Sequence, residues 1–171
     1  MYLDLKNNKD YTKLIEPAQI IKNGGLVIFP TETVYGIGAN GLDKNAIKKI
    51  YEAKQRPLNK PISLLVSNID MIESVAKDIT DIEYAIIKKF FPGPLTIILK
   101  KKEIIPDILT AGSDTIGIRM PANDIALNLI NYAGVPIATP SANISGKPSG
   151  TNLKYIILYK IYNDEGEKYE K

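Results

Sequence analysis

Residues 24–36 read Gly24-Gly25-Leu26-Val27-Ile28-Phe29-Pro30-Thr31-Glu32-Thr33-Val34-Tyr35-Gly36, and the order of residue types in this stretch decides which fold the chain can adopt. Asn23, Gly24 and Gly25 supply the left-handed stop that a helix carboxyl end prefers, so the segment from Pro17 through Ala18, Ile20 and Ile21 reads as a short helix. Leu26-Val27-Ile28-Phe29 is an unbroken apolar run ending at Pro30, which predicts a buried strand. Pro30 to Gly38 then reads as a loop whose glycines let backbone approach a ligand, although their spacing matches neither the P-loop nor the dinucleotide fingerprint. The chain begins helix, strand, loop.

The same alternation continues outward. Asp43 caps a helix with Ala46, Ile47, Ile50 and Tyr51 on one face and Lys54 at its end, closed off by Pro57 and Pro61. Ile62 to Val66 reads as a strand, Asn68 caps a short helix through Ile72 and Val75, and Thr80 with Glu83 makes a capping box for a helix through Phe90. Pro92-Gly93-Pro94 is a rigid turn, Leu95 to Leu99 and Thr115 to Arg119 are strands, Asn123 caps a helix bearing Ala126, Leu127 and Ile130, and Pro136 to Thr139 makes a last short strand. Strands alternating with helices imply a layered α/β fold, with helices on the faces of one sheet. Leu153 to Tyr162 carries both a helical apolar stripe and strand-favouring Tyr and Ile; a helix is the expectation there, with a frayed end over 164–171.

The 171 residues are 44% apolar and 24% charged, with 22 Lys plus Arg against 19 Asp plus Glu for a net charge of +3. This is the composition of one globular domain, 1–171, with no repeat or linker. Cysteine and histidine are absent, which excludes thiolate nucleophiles, Cys-based metal sites, Ser–His–Asp triads and His-metal hydrolases. Chemistry is left to Lys, Arg, Ser, Thr, Asp, Glu and backbone amides. The amino-terminal ten residues are polar, and no segment reaches the roughly 18 unbroken apolar residues a membrane helix needs, so a cytoplasmic location is expected. The charge is too slight for a dedicated DNA coat, although Lys100-Lys101-Lys102 could steer an anionic partner.

Lys54 and Arg56 lie two apart at a helix end, and Lys60 follows between two prolines. Such cations serve either the helix dipole and solvation, or a polyphosphate clamp in which Arg supplies a fork and Lys point charges. Thr139-Pro140-Ser141-Ala142-Asn143-Ile144-Ser145-Gly146 follows a strand and reads either as an ordinary turn or as one of the ligand-binding loops that leave strand carboxyl ends. Arg119, on a strand expected to be buried, must be paired, and is either half of a structural ion pair or a clamp for a carboxylate.

Together these segments resemble the YrdC/Sua5 family, the threonylcarbamoyl-AMP synthases. The resemblance is carried in order by residues 24–36 as quoted, by Lys54-Gln55-Arg56 with Lys60-Pro61-Ile62, by Phe91-Pro92-Gly93-Pro94-Leu95-Thr96, by Gly117-Ile118-Arg119-Met120-Pro121, and by Ser141-Ala142-Asn143-Ile144-Ser145-Gly146, all within 24–146. The Lys-x-Arg and Ser-x-Asn signature of that family falls on Lys54, Arg56, Ser141 and Asn143, which the resemblance makes the catalytic set. It implies a YrdC-like twisted, mixed open β-sheet flanked by helices, classed as α/β or, in some schemes, α+β. It also implies condensation of L-threonine, bicarbonate and ATP to threonylcarbamoyl-AMP and pyrophosphate, with Mg2+ carried by the nucleotide and no metal site on the protein. A tRNA threonylcarbamoyl transferase would then use the product for the t6A37 modification. Lys54, Arg56, Lys60, Thr139, Ser141 and Asn143 would bind ATP, and Thr33, Tyr35 and Arg119 would hold threonine, Arg119 by its carboxylate. No covalent enzyme intermediate is expected, since bicarbonate and the amine supply the nucleophiles and the protein orients them and offsets phosphate charge.

The sequence departs from the family after the Ser-x-Asn loop, where a further helix, a Gly-rich segment with a Ser-Thr pair and a final strand are usual; here no Ser-Thr pair occurs in the last residues. A compact variant and a shortened chain both fit that reading, and the short single-domain type, without the added domain of longer members, is the expectation. Two other functions compete: an RNA-binding module of the same fold that holds tRNA weakly through Lys and Arg without catalysis, and an inactive or carbamoyl-phosphate-using relative.

Overall fold

The computed structural model describes residues 3, 5 and 9–149 of the chain. Asp10 accepts from the Thr12 amide and starts a 3-10 turn, Tyr11–Leu14, that runs into helix α1, Ile15–Lys22, which stops where Gly24 takes φ +80°. Strand β1, Val27–Pro30, turns through residues 31–34 into β2, Tyr35–Asn40. The Asp43 carboxylate caps α2, Lys44–Lys54, by accepting from the amides of Asn45 and Ala46. After β3, Leu64–Leu65, Asn68 caps α3, Ile69–Val75, which passes into β4, Ala76–Lys77. A complete Thr80–Glu83 capping box opens α4, Asp81–Phe90. The remainder is β5, Ile97–Lys101; α5, Asp107–Thr110; β6, Thr115–Arg119; α6, Asp124–Ala133, capped by Asn123 and stopped by Gly134; and β7, Ile137–Ala138.

Among the described residues seven strands form one sheet in the order β1-β2-β7-β3-β6-β5-β4. Only the β3–β6 pair is parallel; the others are antiparallel, so the sheet is mixed and open. Strand periodicity splits its side chains between two cores. On one face Ile37, Leu64, Val66, Leu99, Ile116 and Ile118 pack with α2, α3, α4 and α5. On the other, Phe29, Leu65 and Ile137 pack with Ala18 and Ile21 of α1 and Leu129 and Ile130 of α6. The second cover is partial: farther along that face, Ile98 on β5 is 59% exposed. The 31–34 turn reaches this face at Arg119, through Thr33.

The sequence expectations meet several corrections. Residues 35–38, read as part of a loop, belong to a strand that runs to Asn40, because Gly36 and Gly38 there serve packing: a Cβ at Gly38 would lie 2.6 Å from Phe29 Cε1 and 2.7 Å from Ile137 Cγ2. The apolar run read as a buried strand is instead the sheet edge, with Val27 and Ile28 only half-buried. Helix α1 begins at Ile15, so Pro17 falls inside its first turn. The strand expected over 62–66 pairs as a ladder only at Leu64–Leu65, although the Val66 amide still donates to Arg119 O at 3.0 Å. Strand β5 starts at Ile97 rather than Leu95, and the short elements β4 and α5 went unread. The readings of 153–162 and 164–171 lie outside the described residues.

Candidate functional site

Lys54 is the last residue of α2 and, at 1% exposure, its largest deviation from expectation. For Lys54 the solvated helix-end reading fails: the same apolar spacing that buries Ile47, Ile50 and Tyr51 carries it inward. Its Nζ donates to the backbone carbonyls of Ser141 and Asn143, and its own carbonyl accepts from the Ser145 amide at 3.0 Å. Burial, and then the nearby charge of Arg56, lower its pKa from 10.5 to about 8. The Lys-x-Arg and Ser-x-Asn segments are thus joined by the lysine itself.

The loop so anchored also lies along β2. Ala142 N donates to Tyr35 O at 2.7 Å, Ile37 N to Pro140 O at 3.0 Å, and Gly36 bridges Ser141 in antiparallel fashion. A Cβ on Gly36 would meet Thr139 Cγ2 at 2.4 Å, so this glycine lets Thr139 close against the strand. The Asn143 amide nitrogen donates to the carbonyls of Ile144 and Lys147 at 3.0 and 2.7 Å, folding its own turn.

Arg56 follows Gln55, whose left-handed φ of +51° ends α2 and turns the chain. The Arg56 guanidinium donates from Nε to Lys60 O at 3.1 Å and from Nη2 to Pro61 O at 2.8 Å. Tyr51 OH reaches the same Lys60 carbonyl at 2.9 Å and Ile108 O at 3.0 Å, tying the basic loop to α5. The Lys60 residue is exposed and contributes its carbonyl to this knot.

Arg119 ends β6 on the partly covered face. Its Nη2 meets Glu32 Oε1 at 2.8 Å and Thr33 Oγ1 at 3.1 Å, while its Nε is buried without a hydrogen-bond partner. Both partners stand on the 31–34 turn, which Thr31 stiffens: its hydroxyl donates to Val34 O at 2.6 Å and accepts from the amides of Thr33 and Val34. Burial pushes the Glu32 carboxyl up, but the hydrogen bond from Arg119, the backbone amides of Glu32 and Ala122 and the guanidinium charge outweigh it and hold the group below the usual carboxylate range.

Backbone and side-chain bonds therefore run continuously from Lys54 through Ser141–Asn143 to Tyr35, and along the 33–35 backbone to Thr33 and Arg119. Arg56 and Lys60 stand beside this line, joined to it through α2. Glu32 and Tyr51 were not singled out from sequence. For Glu32 a signal existed, an acid within Pro30-Thr31-Glu32-Thr33 opposite a strand arginine that needed a partner; for Tyr51 none did, since its spacing reads only as core. Lys100, Lys101 and Lys102 turn to local partners, Asp78, Asp107 and Glu73 O respectively.

The Sua5/YciO/YrdC family model, described as telomere recombination, matches residues 19–159. The chain belongs to the Sua5/YciO/YrdC family. Among its relatives in that family, the threonylcarbamoyl-AMP synthase of Pyrococcus abyssi is 46% identical over 90% of this chain and 45% of its own length, and that of Bacillus subtilis 42% identical over 84% and 42%. The structure of Pyrococcus abyssi Sua5 complexed with L-threonine superposes with a TM-score of 0.84, at 48% identity over 86% of this chain and 43% of that one. The mixed sheet expected from the resemblance is thus the fold of this Sua5/YciO/YrdC chain, which spans less than half the length of these relatives. Among the described residues no helix is long and apolar enough to cross a membrane.

Proposed function

We propose that the chain is a threonylcarbamoyl-AMP synthase, a nucleotidyltransferase that joins L-threonine, bicarbonate and ATP. The observation that carries this reading is the bonded line from Lys54 through Ser141–Asn143 and Tyr35 to Thr33 and Arg119, which links cations suited to phosphate with a guanidinium suited to a carboxylate. The names of the relatives, and the threonine bound by one of them, support the choice of substrates.

In this reading Arg119, with Thr33 and Tyr35, holds the threonine carboxylate and leaves the amine to react. The neutral amine attacks the bicarbonate carbon, forming the N–C bond of a carbamate with loss of water. A carbamate oxygen then attacks the α-phosphorus of ATP, the bond from that phosphorus to the bridging oxygen of the β-phosphate breaks, and pyrophosphate leaves with the electron pair. Arg56 and Lys60 would take the phosphates, Lys54 would add its charge beside Ser141 and Asn143, and Thr139 would border the nucleotide. Magnesium would enter on the phosphate oxygens as part of the substrate. The protein's share is proximity and charge rather than a nucleophile, a role open to a chain without histidine or cysteine. Cytoplasmic transfer of the product to tRNA by a second enzyme completes the proposal.

The test is pyrophosphate release from ATP by the purified 171-residue chain. Release that requires both threonine and bicarbonate is the expected result; a folded protein that binds neither ATP nor threonine and releases no pyrophosphate overturns it.

A further inference from the structure

Arg119 carries five N–H donors, and their allocation is legible. Nη2 has Glu32 Oε1 at 2.8 Å and Thr33 Oγ1 at 3.1 Å, which accounts for both of its protons. Nε is sealed from solvent without a partner. Among the described residues no hydrogen bond engages Nη1, which is left for a ligand. A guanidinium on a four-bond side chain has many orientations, so which nitrogen is left depends on what grips the other two.

We propose that Glu32 is a positioning residue for substrate recognition: it fixes the Arg119 guanidinium in the one orientation that offers Nη1 to a substrate carboxylate. The proposal rests on the reading of Arg119 as the carboxylate clamp. The geometry also permits an opposite role, in which Glu32 holds the substrate carboxylate's place and must leave on binding. Its anchoring decides between them. Glu32 stands on the turn that the Thr31 hydroxyl stiffens, its Oε1 lies 2.8 Å from Arg119 Nη2, and its side chain is only 19% exposed. Leaving would break that pair only to put another carboxylate on the same nitrogen of a guanidinium 16% exposed, whereas a ligand at Nη1 keeps the pair and adds a bond. Thr33 supports the grip from the same stiffened turn.

Glu32→Gln keeps the shape and one acceptor oxygen while removing the charge, and Glu32→Asp keeps the charge on a shorter arm. The expected result is a KM for threonine raised about tenfold in Glu32→Gln, in line with loss of a charge-assisted bond, with a much smaller change in kcat and in the KM for ATP, and partial recovery in Glu32→Asp. A loss of global stability alone would not divide the parameters in this way. The chain contains two arginines, Arg56 and Arg119, so a nitrogen-15 spectrum of guanidinium Nε–H groups has two signals to assign. That of Arg119 should be protected from exchange in the native chain and in Glu32→Asp and lose protection in Glu32→Gln, while that of Arg56 stays put. A threonine KM unchanged or lowered in Glu32→Gln, or an Arg119 signal indifferent to the substitution, overturns the proposal. Should the native chain show no threonine-dependent turnover, the proposed activity falls instead, and the arginine spectra still decide whether Glu32 fixes Arg119.

Discussion

Lys54 holds its ammonium against the carbonyls of Ser141 and Asn143, and its depressed pKa of about 8 gives stability a definite pH dependence. Between about 8 and 10.5 the folded lysine has released its proton while the unfolded one still binds it, so this group makes stability rise with pH across that window and gives it no slope below 8, where both states hold the proton. Urea unfolding of the native chain against Lys54→Met at several pH values should show that slope in the former and its absence in the latter. Lys54→Ala should also free the loop it anchors. Backbone hydrogen exchange at Ala142 and Ser145, whose amides donate to Tyr35 O and Lys54 O, should speed up, with most pyrophosphate release lost. Arg56→Ala is a different kind of change, because that side chain lies near the surface and grips only its own loop. It should cost no more than about 1–2 kcal/mol of stability while raising the KM for ATP about tenfold or more.

Two sites at the level of single elements separate folding from chemistry. Gly38→Ala pushes a Cβ into Phe29 and Ile137, both 2% exposed or less, and should destabilise the chain by about 1–3 kcal/mol in thermal or urea unfolding. Thr80→Ala dismantles the α4 capping box far from the site and should cost about 1 kcal/mol without altering turnover. These same elements explain what could be read beforehand. The caps at Asp43, Asn68, Thr80 and Asn123 were legible because a cap is made between residues two or three apart. Strand β2 was not, because its glycines answer to Phe29, Ile137 and Thr139 across the sheet, and in sequence they look like turn residues. The candidate site divides the same way. The positions of Lys54, Arg119 and the Ser141 loop came from pattern and family resemblance, while the carbonyls that receive the Lys54 ammonium and the pairing of Glu32 with Arg119 are contacts across some 87 residues of sequence that helix or strand spacing does not specify.

On the scale of the whole molecule, the sheet separates two apolar clusters that share little but its backbone. Ile47→Ala in α2 opens a cavity in one and Ile130→Ala in α6 opens a cavity in the other. Each should cost about 2–5 kcal/mol, and the double variant should match their sum within about 0.5 kcal/mol in denaturant titration. A larger coupling would mean that repacking on one face is felt through the strands on the other, and that α1 and α6 influence Lys54 from across the sheet.

The order of the strands also sets a timetable. Strand β2 leaves the ribosome early, yet its inner neighbour in the sheet is β7, so Ala39 must wait for Ala138 to be synthesised. Until then the hairpin carrying Glu32 and Thr33 has one open side, exposed to whatever nascent or neighbouring chain can pair with it. The loop that receives the Lys54 ammonium follows β7 and arrives later still. A polypeptide released prematurely anywhere before residue 141 would therefore lack the means to join its two signature segments, and appearance of function during translation would report that the ribosome had passed this point.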